Sequence, residues 1–282
     1  MLQDYFEAGR TIETVQRTQA TVYCGTGNMT RAILEHADYA QARIGSLLKG
    51  NAGTFANYKR MTLIEMGMRL ACAAYGLTES YGNATVSRTD DSIEDKIATN
   101  GAPLPGTELT IVDPVTRQPL KQGEPGLILL RGHVTLGYFQ NPDEAAKAIG
   151  ADGFFDTGDL GWLDPGGRLV FHSRLKEVIK SGGINISTLE LEQLLALHPD
   201  IAEAFAVGAP HKVQGEAIMA FVVARATISE QSVRDFVREL AASFKTPHHV
   251  MFVTQENLPR LASGKVAKHR LAEWAAREVG GG

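Results

Sequence analysis

The sequence has little of several features that would narrow its function. It contains only two cysteines, Cys24 and Cys72, which lie far apart and lack the spacing of a metal or redox site. We therefore expect two reduced thiols and a cytoplasmic protein. The net charge of the 282 residues is -4, and no block of lysine or arginine stands out. The charge thus gives no electrostatic reason to expect nucleic acid as a partner.

Long apolar runs are also missing. The longest, such as residues 217–224, are far shorter than a bilayer requires, and the first residues lack a basic segment followed by an apolar one. We therefore expect no membrane span. No Gly-x-Ser-x-Gly motif is present, which disfavours a serine hydrolase, and the histidines lack ligand spacing. With 44% hydrophobic and 21% charged residues, the chain has an ordinary globular composition.

The stretch from residue 154 to residue 192 organises the rest of the chain. Its apolar runs at 160–163 and 168–171 flank Asp164-Pro165-Gly166-Gly167, whose fixed proline φ and permissive glycines predict a β-hairpin. From Ser187, a capping box followed by leucines at helical spacing predicts a helix. The charged link between these elements is typical of a junction between two domains.

The patterns along the chain predict a mixed fold in three parts. Residues 1–95 combine helical and strand signals, as in an α/β domain, with a helix over 61–68 and a buried strand over 69–74. Residues 96–175 carry short alternating runs and turn signals, which indicate a small, β-barrel-like subdomain. Residues 176–282 read as a compact α+β domain that includes a helix over 230–244.

The pentapeptide Tyr75-Gly76-Leu77-Thr78-Glu79 follows the predicted buried strand, at the sheet edge where α/β proteins bind ligands. Tyr75 offers a flat face on which a purine can stack, and Gly76 allows the backbone to approach it closely. Thr78 can donate a hydroxyl to a phosphate, and Glu79 supplies the hard oxygen that Mg²⁺ requires. The alternative for Glu79 is a solvated loop acid.

Four stretches together resemble the AMP-forming acyl-CoA synthetase, adenylation-domain and firefly-luciferase superfamily. They are YGLTE at 75–79, FFDTGDLG at 154–161, SRLKEVIKSGGINISTLELE at 173–192 and LPRLASGK at 258–265. In that family ATP activates an acid to an acyl-adenylate with loss of pyrophosphate, and a thiol, usually coenzyme A, then displaces AMP. The resemblance therefore implies ATP or AMP, Mg²⁺ and coenzyme A as cofactors and a small carboxylic acid as substrate.

The resemblance also implies roles for individual residues. Asp159 is similar to the acid that accepts both ribose hydroxyls of the nucleotide, and Arg174 to the arginine that also reaches the ribose. A surface ion pair is their alternative. Lys265 is similar to the catalytic lysine whose ammonium stabilises the charge that gathers when the carboxylate attacks the α-phosphate.

Two further motifs are implied to serve a domain rotation. Lys176 resembles the hinge residue about which the family turns its small domain. The pair Gly182-Gly183 resembles the face that then replaces the lysine loop and leaves room for the pantetheine arm. The alternative for these glycines is a simple turn before a helix.

The largest departure from the family is a missing segment. The family has a Ser/Thr/Gly-rich loop ending in Pro-Lys-Gly that grips the β- and γ-phosphates, and this sequence has none. The resemblance therefore implies a carboxyl-terminal remnant of the large α/β domain followed by the small domain. Adenylation should be impaired without the donors of that loop.

Three functions remain open at this point. The leading interpretation is a fragment of an AMP-forming acid:CoA ligase of the fatty-acyl type. A second is an adenylation domain that loads a carrier protein. A third is an inactive remnant that binds nucleotide or a partner chain, such as a separate amino-terminal half or a second copy.

Overall fold

The structure is a computed structural model that describes residues 4–261 and 265–280. It has two compact units, Met1–Phe171 and His172–Gly282. Both mix helices with β-sheet, which confirms the mixed fold class. The predicted boundaries after residues 95 and 175 stay predictions. Within the described ranges, no helix is long and apolar enough to cross a membrane.

The first part of the first unit is an α/β layer. Its five-stranded sheet has the order β1-β2-β3-β4-β5, parallel from β1 to β3 and antiparallel from β3 to β5. The strands are β1 Val22–Tyr23, β2 Lys49–Gly53, β3 Cys72–Tyr75, β4 Thr85–Val86 and β5 Ala102–Pro103. The helices are α1 Ala8–Thr18, α2 Gly27–Leu34, α3 Gln41–Ile44, α4 Ala56–Arg60 and α5 Ile93–Ala98.

Helix α1 shows how the sequence builds this layer. The side chain of Glu7 accepts the first free backbone N–H groups of the helix, and Gln19 ends it in the left-handed region. Ile12 and Val15 then share the face that packs into the core. Helix α4 continues into a π-turn at Met61–Glu65, so the helix predicted over 61–68 begins earlier and ends sooner.

Two fully buried lysines connect helices α4 and α5 to the surrounding loops. Nζ of Lys59 donates to the carbonyl of Thr99 at 2.6 Å, and Nζ of Lys96 donates to the carbonyls of Arg69 and Thr89 at 2.9 and 2.8 Å. Burial lowers the pKa of Lys59 to about 8. These ammonium groups satisfy carbonyls that no helix or strand would otherwise serve.

The second part of the first unit is an antiparallel sheet with the order β6-β7-β8-β9. Its strands are β6 Thr107–Val112, β7 Gly126–Gly132, β8 Phe155–Leu163 and β9 Leu169–Arg174, with helix α6 Pro142–Ala148 between β7 and β8. The last three residues of β9 belong to the second unit. The predicted hairpin is confirmed, because Asp164 Oδ1 accepts the N–H groups of Gly166 and Arg168 in the turn from β8 to β9. The described residues of this sheet show no barrel, so the barrel-like closure stays a prediction.

The second unit has a five-stranded sheet. Its order is β11-β10-β13-β12, with β14 also paired to β13. The strands are β10 Val178–Ser181, β11 Ile184–Ser187, β12 Ile201–His211, β13 Gly215–Ala224 and β14 His249–Phe252, and the helices are α7 Thr188–Leu195, α8 Glu230–Leu240 and α9 Lys268–Gly280.

Helices cover both faces of this sheet. One apolar cluster joins α7 and α8 to the sheet through residues such as Leu191 and Val237, and a second joins α9 through Leu271. Strand β13 lies between the two clusters and is therefore a continuous apolar run. Ser187 caps α7 as predicted, by accepting the Glu190 N–H at 3.2 Å. Helix α8 ends at Leu240, four residues before the predicted end.

Candidate active site

A tyrosine and a carboxylate that lie 84 positions apart in sequence meet in the first unit. Tyr75 ends β3, and its hydroxyl donates to Asp159 Oδ2 at 2.9 Å. Tyr75 is 3% exposed and Asp159, in β8, is 2% exposed. A carboxylate this deeply buried needs donors, and the tyrosine supplies one. The structure thus brings together two of the residues that the sequence assigned to nucleotide binding.

Aromatic rings surround this pair. The Phe171 ring stacks on the Tyr75 ring at a centroid distance of 5.5 Å and an interplanar angle of 25°. Phe55 lies 5.8 Å from Phe171, and Tyr58 lies 6.1 Å from Phe55. Since Phe171 occupies one face of Tyr75, a purine would have to use what remains of its other face or edge. Stacking of a base on Tyr75 stays a prediction.

Gly76 has a clear packing role. A Cβ atom at this position would lie 2.3 Å from the Gly82 carbonyl oxygen and 2.6 Å from Asn83 Cα. Any side chain would therefore separate the Tyr75 loop from the backbone that folds over it. The structure therefore explains Gly76 by packing alone. That a nucleotide approaches Gly76 closely stays a prediction.

Glu79 is held by a loop that the sequence analysis did not single out. It lies in the 3₁₀ turn Thr78–Ser80, in which Thr78 is exposed and Glu79 is half-buried. The hydroxyl of Tyr138 donates to Glu79 Oε1 at 3.0 Å, and the N–H of Thr135 donates to the Glu79 carbonyl at 2.6 Å. Burial, and then the Glu79 carboxylate, raise the pKa of Tyr138. The hydrogen bond from Tyr138 therefore orients the Glu79 carboxylate.

The donor set at Glu79 suits Mg²⁺ only in part. A magnesium ion usually takes one or two carboxylates and completes its shell with phosphate oxygens and water. Across residues 4–261 and 265–280, no group of three or more His, Cys, Asp or Glu side chains could hold a metal ion. Glu79 would therefore serve as the single protein carboxylate of a metal that arrives with a polyphosphate.

The other assigned residues belong to the second unit. Arg174, at the end of β9, and Lys176, in the 3₁₀ turn Leu175–Glu177, are both exposed. Gly182 and Gly183 form the two-residue turn between β10 and β11, with φ values of +57° and +81°. Such angles favour glycine. No atom lies within 4 Å of a Cβ added to either residue, so the space beside them is open.

A cavity of about 570 Å³ adjoins this glycine turn within the second unit. Its lining combines apolar side chains, such as Phe244, with polar and cationic ones, which include Gln214, Arg234, Arg238 and His248. Burial, and then the neighbouring His211, lower the pKa of His248. The two arginines carry a permanent positive charge, and each pairs with a carboxylate of α8, Arg234 with Glu230 at 2.9 Å and Arg238 with Asp235 at 2.8 Å.

Lys265 lies in a short segment, residues 265–267, that pairs antiparallel with residues 259–261. The N–H of Leu261 donates to the Lys265 carbonyl at 2.8 Å, and the N–H of Ala267 donates to the Pro259 carbonyl at 2.7 Å. The side chain of Lys265 is exposed. Three residues of its motif, Ala262, Ser263 and Gly264, lie outside the described residues. The catalytic role of Lys265 stays a prediction.

Comparison with known families now places the chain. The profile of the AMP-binding enzyme family matches residues 2–139, and that of the AMP-binding enzyme C-terminal domain matches residues 190–265. The two profiles follow each other as the two units do. The chain belongs to the AMP-binding enzyme superfamily.

Within the superfamily, the chain is similar to acyl-CoA ligases. It is 36% identical over 274 residues to a propanoyl:CoA ligase of Rhodococcus jostii whose acyl group carries a methyl-dioxo-octahydroindene ring system. The match covers 95% of this chain and 50% of that enzyme. The chain spans about half the length of the curated relatives it matches.

Solved structures of the superfamily agree with this placement. ATP-bound MatB from Rhodopseudomonas palustris matches with a TM-score of 0.84 at 29% identity, over 97% of this chain and 54% of that chain. The o-succinylbenzoate CoA synthetase MenE of Bacillus subtilis, in complex with its acyl-adenylate intermediate, matches with a TM-score of 0.83 at 28% identity, over 96% and 54%. Both matches cover the first and second units.

Proposed function

We propose that the chain carries the adenylate pocket and the catalytic lysine of an AMP-forming acid:CoA ligase. In the first step, an oxygen of the acid's carboxylate bonds to the α-phosphorus of ATP and pyrophosphate leaves. In the second, the sulfur of coenzyme A bonds to the acyl carbon and AMP leaves. The observation that carries this proposal is the buried Tyr75–Asp159 pair, in a chain of the superfamily to which acyl-CoA ligases belong.

Asp159 has the central role in the pocket. Its carboxylate has two acceptor oxygens, which suits the two neighbouring hydroxyls of a ribose. The Tyr75 hydroxyl, at 2.9 Å, orients that carboxylate. Arg174 assists at the ribose, and Thr78 donates its hydroxyl to a phosphate.

Glu79 would hold Mg²⁺, which neutralises charge on the phosphates when bound. Tyr138 presets the Glu79 carboxylate for this task. Lys265 brings a mobile ammonium to the oxygens on which negative charge gathers. Each of these side chains acts by position and charge, and none forms a covalent bond with the substrate.

The second unit supports the thioester step. Gly182 and Gly183 leave open space for a narrow thiol arm, and Arg234 and Arg238 line the adjoining cavity. A thiol compound that carries phosphates, such as coenzyme A, fits this charge. Lys176 would serve as the hinge about which the small domain rotates between the first step and the second.

The remaining assignments are part of the same proposal. The acid is of the fatty-acyl type, and the protein acts in the cytoplasm. The macromolecular partner in this proposal is an amino-terminal half of the ligase or a second copy of the chain. A carrier protein is the second candidate for the acceptor. Coenzyme A and a phosphopantetheinylated carrier, offered in parallel to preformed acyl-adenylate, distinguish the two by which one becomes acylated.

Calorimetric titration of the intact chain with AMP tests the pocket directly. We expect binding that weakens at least about tenfold in Asp159→Asn, because the ribose hydroxyls lose a charged acceptor. Asp90→Asn is the matched control, since Asp90 lies in the same unit, is exposed and pairs with Arg88 at 2.9 Å. If AMP does not bind, or if both variants bind as the parent does, the proposed pocket is wrong.

A further inference from the structure

Lys268 makes a set of contacts that neither the sequence motifs nor the proposed mechanism uses. It is the first residue of α9. Its Nζ lies 2.7 Å from Glu177 Oε2, 2.9 Å from Glu192 Oε1 and 3.3 Å from Thr188 Oγ1. The side chains of Lys268 and Glu192 are 23% and 14% exposed. One ammonium thus joins three segments of the second unit.

The charges of this cluster keep it together. Burial alone would lower the pKa of Lys268, but Glu192 and then Glu177 outweigh it, so that the pKa is raised and the ammonium stays charged. Glu192 is itself fixed to the sheet, since its Oε1 accepts the Ala206 N–H of β12 at 2.8 Å. The cluster therefore has a rigid base in the core of the unit.

Lys268 connects the neighbourhoods of two residues that the sequence singled out, the hinge candidate Lys176 and the catalytic candidate Lys265. Glu177 directly follows Lys176 and ends the turn Leu175–Glu177. Lys268 directly follows residues 265–267, which include Lys265 and pair with residues 259–261. Buried ion pairs contribute little net stability compared with an apolar core, but they fix the register of the elements that they connect.

We propose that Lys268 is a positioning residue that locks the Lys176–Glu177 turn to the paired residues 259–261 and 265–267, so that the two segments move as one body. The importance of those two segments rests on the proposed function, whereas the lock rests on the three contacts of Nζ. As a consequence, Lys265 moves together with the Lys176–Glu177 turn when the small domain rotates.

Hydrogen–deuterium exchange of the intact chain measures this coupling. In Lys268→Met, we expect the amides of Leu261 and Ala267 and those of residues 176–178 to exchange about tenfold faster, because a partly buried ion pair is lost at both segments. Amides of β13 should keep the parent rates. Lys268→Arg should restore both segments, because it returns the cation.

Two more variants separate positioning from a general loss of stability. Glu177→Gln keeps the Lys268–Glu192 contact and weakens only the link to the turn, from an ion pair to a neutral hydrogen bond, so exchange should rise at residues 176–178 alone. Lys245→Met is the matched control, because Lys245 pairs with Glu190 of α7 and, with its side chain 21% exposed, resembles Lys268 in burial. This control should leave both segments at the parent rates.

Three outcomes would overturn the lock. These are uniformly faster exchange across β13 as well, equal behaviour of Lys268→Arg and Lys268→Met, and unchanged exchange of the turn in Glu177→Gln. The measurement needs no substrate, so its result is independent of AMP binding. A chain that fails to bind AMP but shows the coupled exchange would refute the proposed function and support the lock.

Discussion

The hydrogen bond between Tyr75 and Asp159 allows the sharpest quantitative test of the first unit. We propose a double-mutant cycle of Tyr75→Phe, Asp159→Asn and the combined variant. The first substitution removes only the donor, and the second keeps the shape of the acceptor while removing its charge. Both side chains are at most 3% exposed, so neither change should admit bulk water.

The magnitude follows from the burial and the charge of the acceptor. Hydrogen bonds to charged groups contribute about 1.5–3 kcal/mol to stability. Because the amide in Asp159→Asn still accepts a neutral hydrogen bond from Tyr75, the cycle measures the excess of the charged bond, and we expect a coupling free energy of about 1 kcal/mol. Each single variant should lose more than this, because both residues make further interactions. The cycle subtracts these other interactions, which is why it is preferred to a single substitution.

The two tryptophans make the assay specific for the first unit. Trp162 lies in β8 and Trp274 in α9, and the sequence has no others. In a Trp274→Phe background, urea unfolding followed by tryptophan fluorescence reports the first unit through Trp162. The free energy of unfolding of each variant comes from linear extrapolation to zero urea.

An exposed pair in the same unit provides the control. The Tyr58 hydroxyl donates to the neutral Asn28 Oδ1 at 3.0 Å. A double-mutant cycle of Tyr58→Phe and Asn28→Ala should give a coupling free energy of about 0.5 kcal/mol. A coupling between Tyr75 and Asp159 no greater than that of the control would refute the reasoning. It would mean that the buried pair does not organise this part of the site.

Two further predictions concern the stability of the separate units. Because burial lowers the pKa of Lys59 from 10.5 to about 8, the unfolded chain binds more protons between these values, and stability should rise by up to about 3 kcal/mol from pH 8 to pH 10.5. Urea titrations at both pH values, followed through Trp162, should show this rise in the free energy of unfolding for the parent chain and no such rise for Lys59→Met. An identical rise in the variant would contradict the assignment to Lys59. Ser187→Ala should destabilise the second unit by about 1 kcal/mol, because α7 loses its cap. Unfolding followed through Trp274 in a Trp162→Phe background measures it, and Ser232→Ala, within α8, is the control.

Elements with local signals were predictable from the sequence. The turn at Asp164–Gly167 and the cap at Ser187 depend on residues within four positions of each other, and both were found as expected. The π-turn of Met61–Glu65 was missed, because an apolar run is compatible with either helical period.

Contacts distant in sequence were not predictable without the fold. The motifs marked Tyr75 and Asp159 as site residues, but nothing in a single sequence says that they share a hydrogen bond. Tyr138 was overlooked although it lies in the segment GYFQNPDEAA, because its partner Glu79 is 59 positions away. Nothing in the sequence singles out Lys268, since its partners Glu192 and Glu177 precede it by 76 and 91 positions.

The two buried lysines of the first unit have a practical consequence. Amine-reactive reagents modify lysines that meet solvent, whereas Lys59 is 2% exposed and Lys96 is not exposed at all. Acylation of either one requires that the segments around α4 and α5 separate first. The rate at which these two amines are modified in the native chain therefore measures how often that unit opens transiently. The modification rate of surface lysines in the same molecule serves as the internal standard.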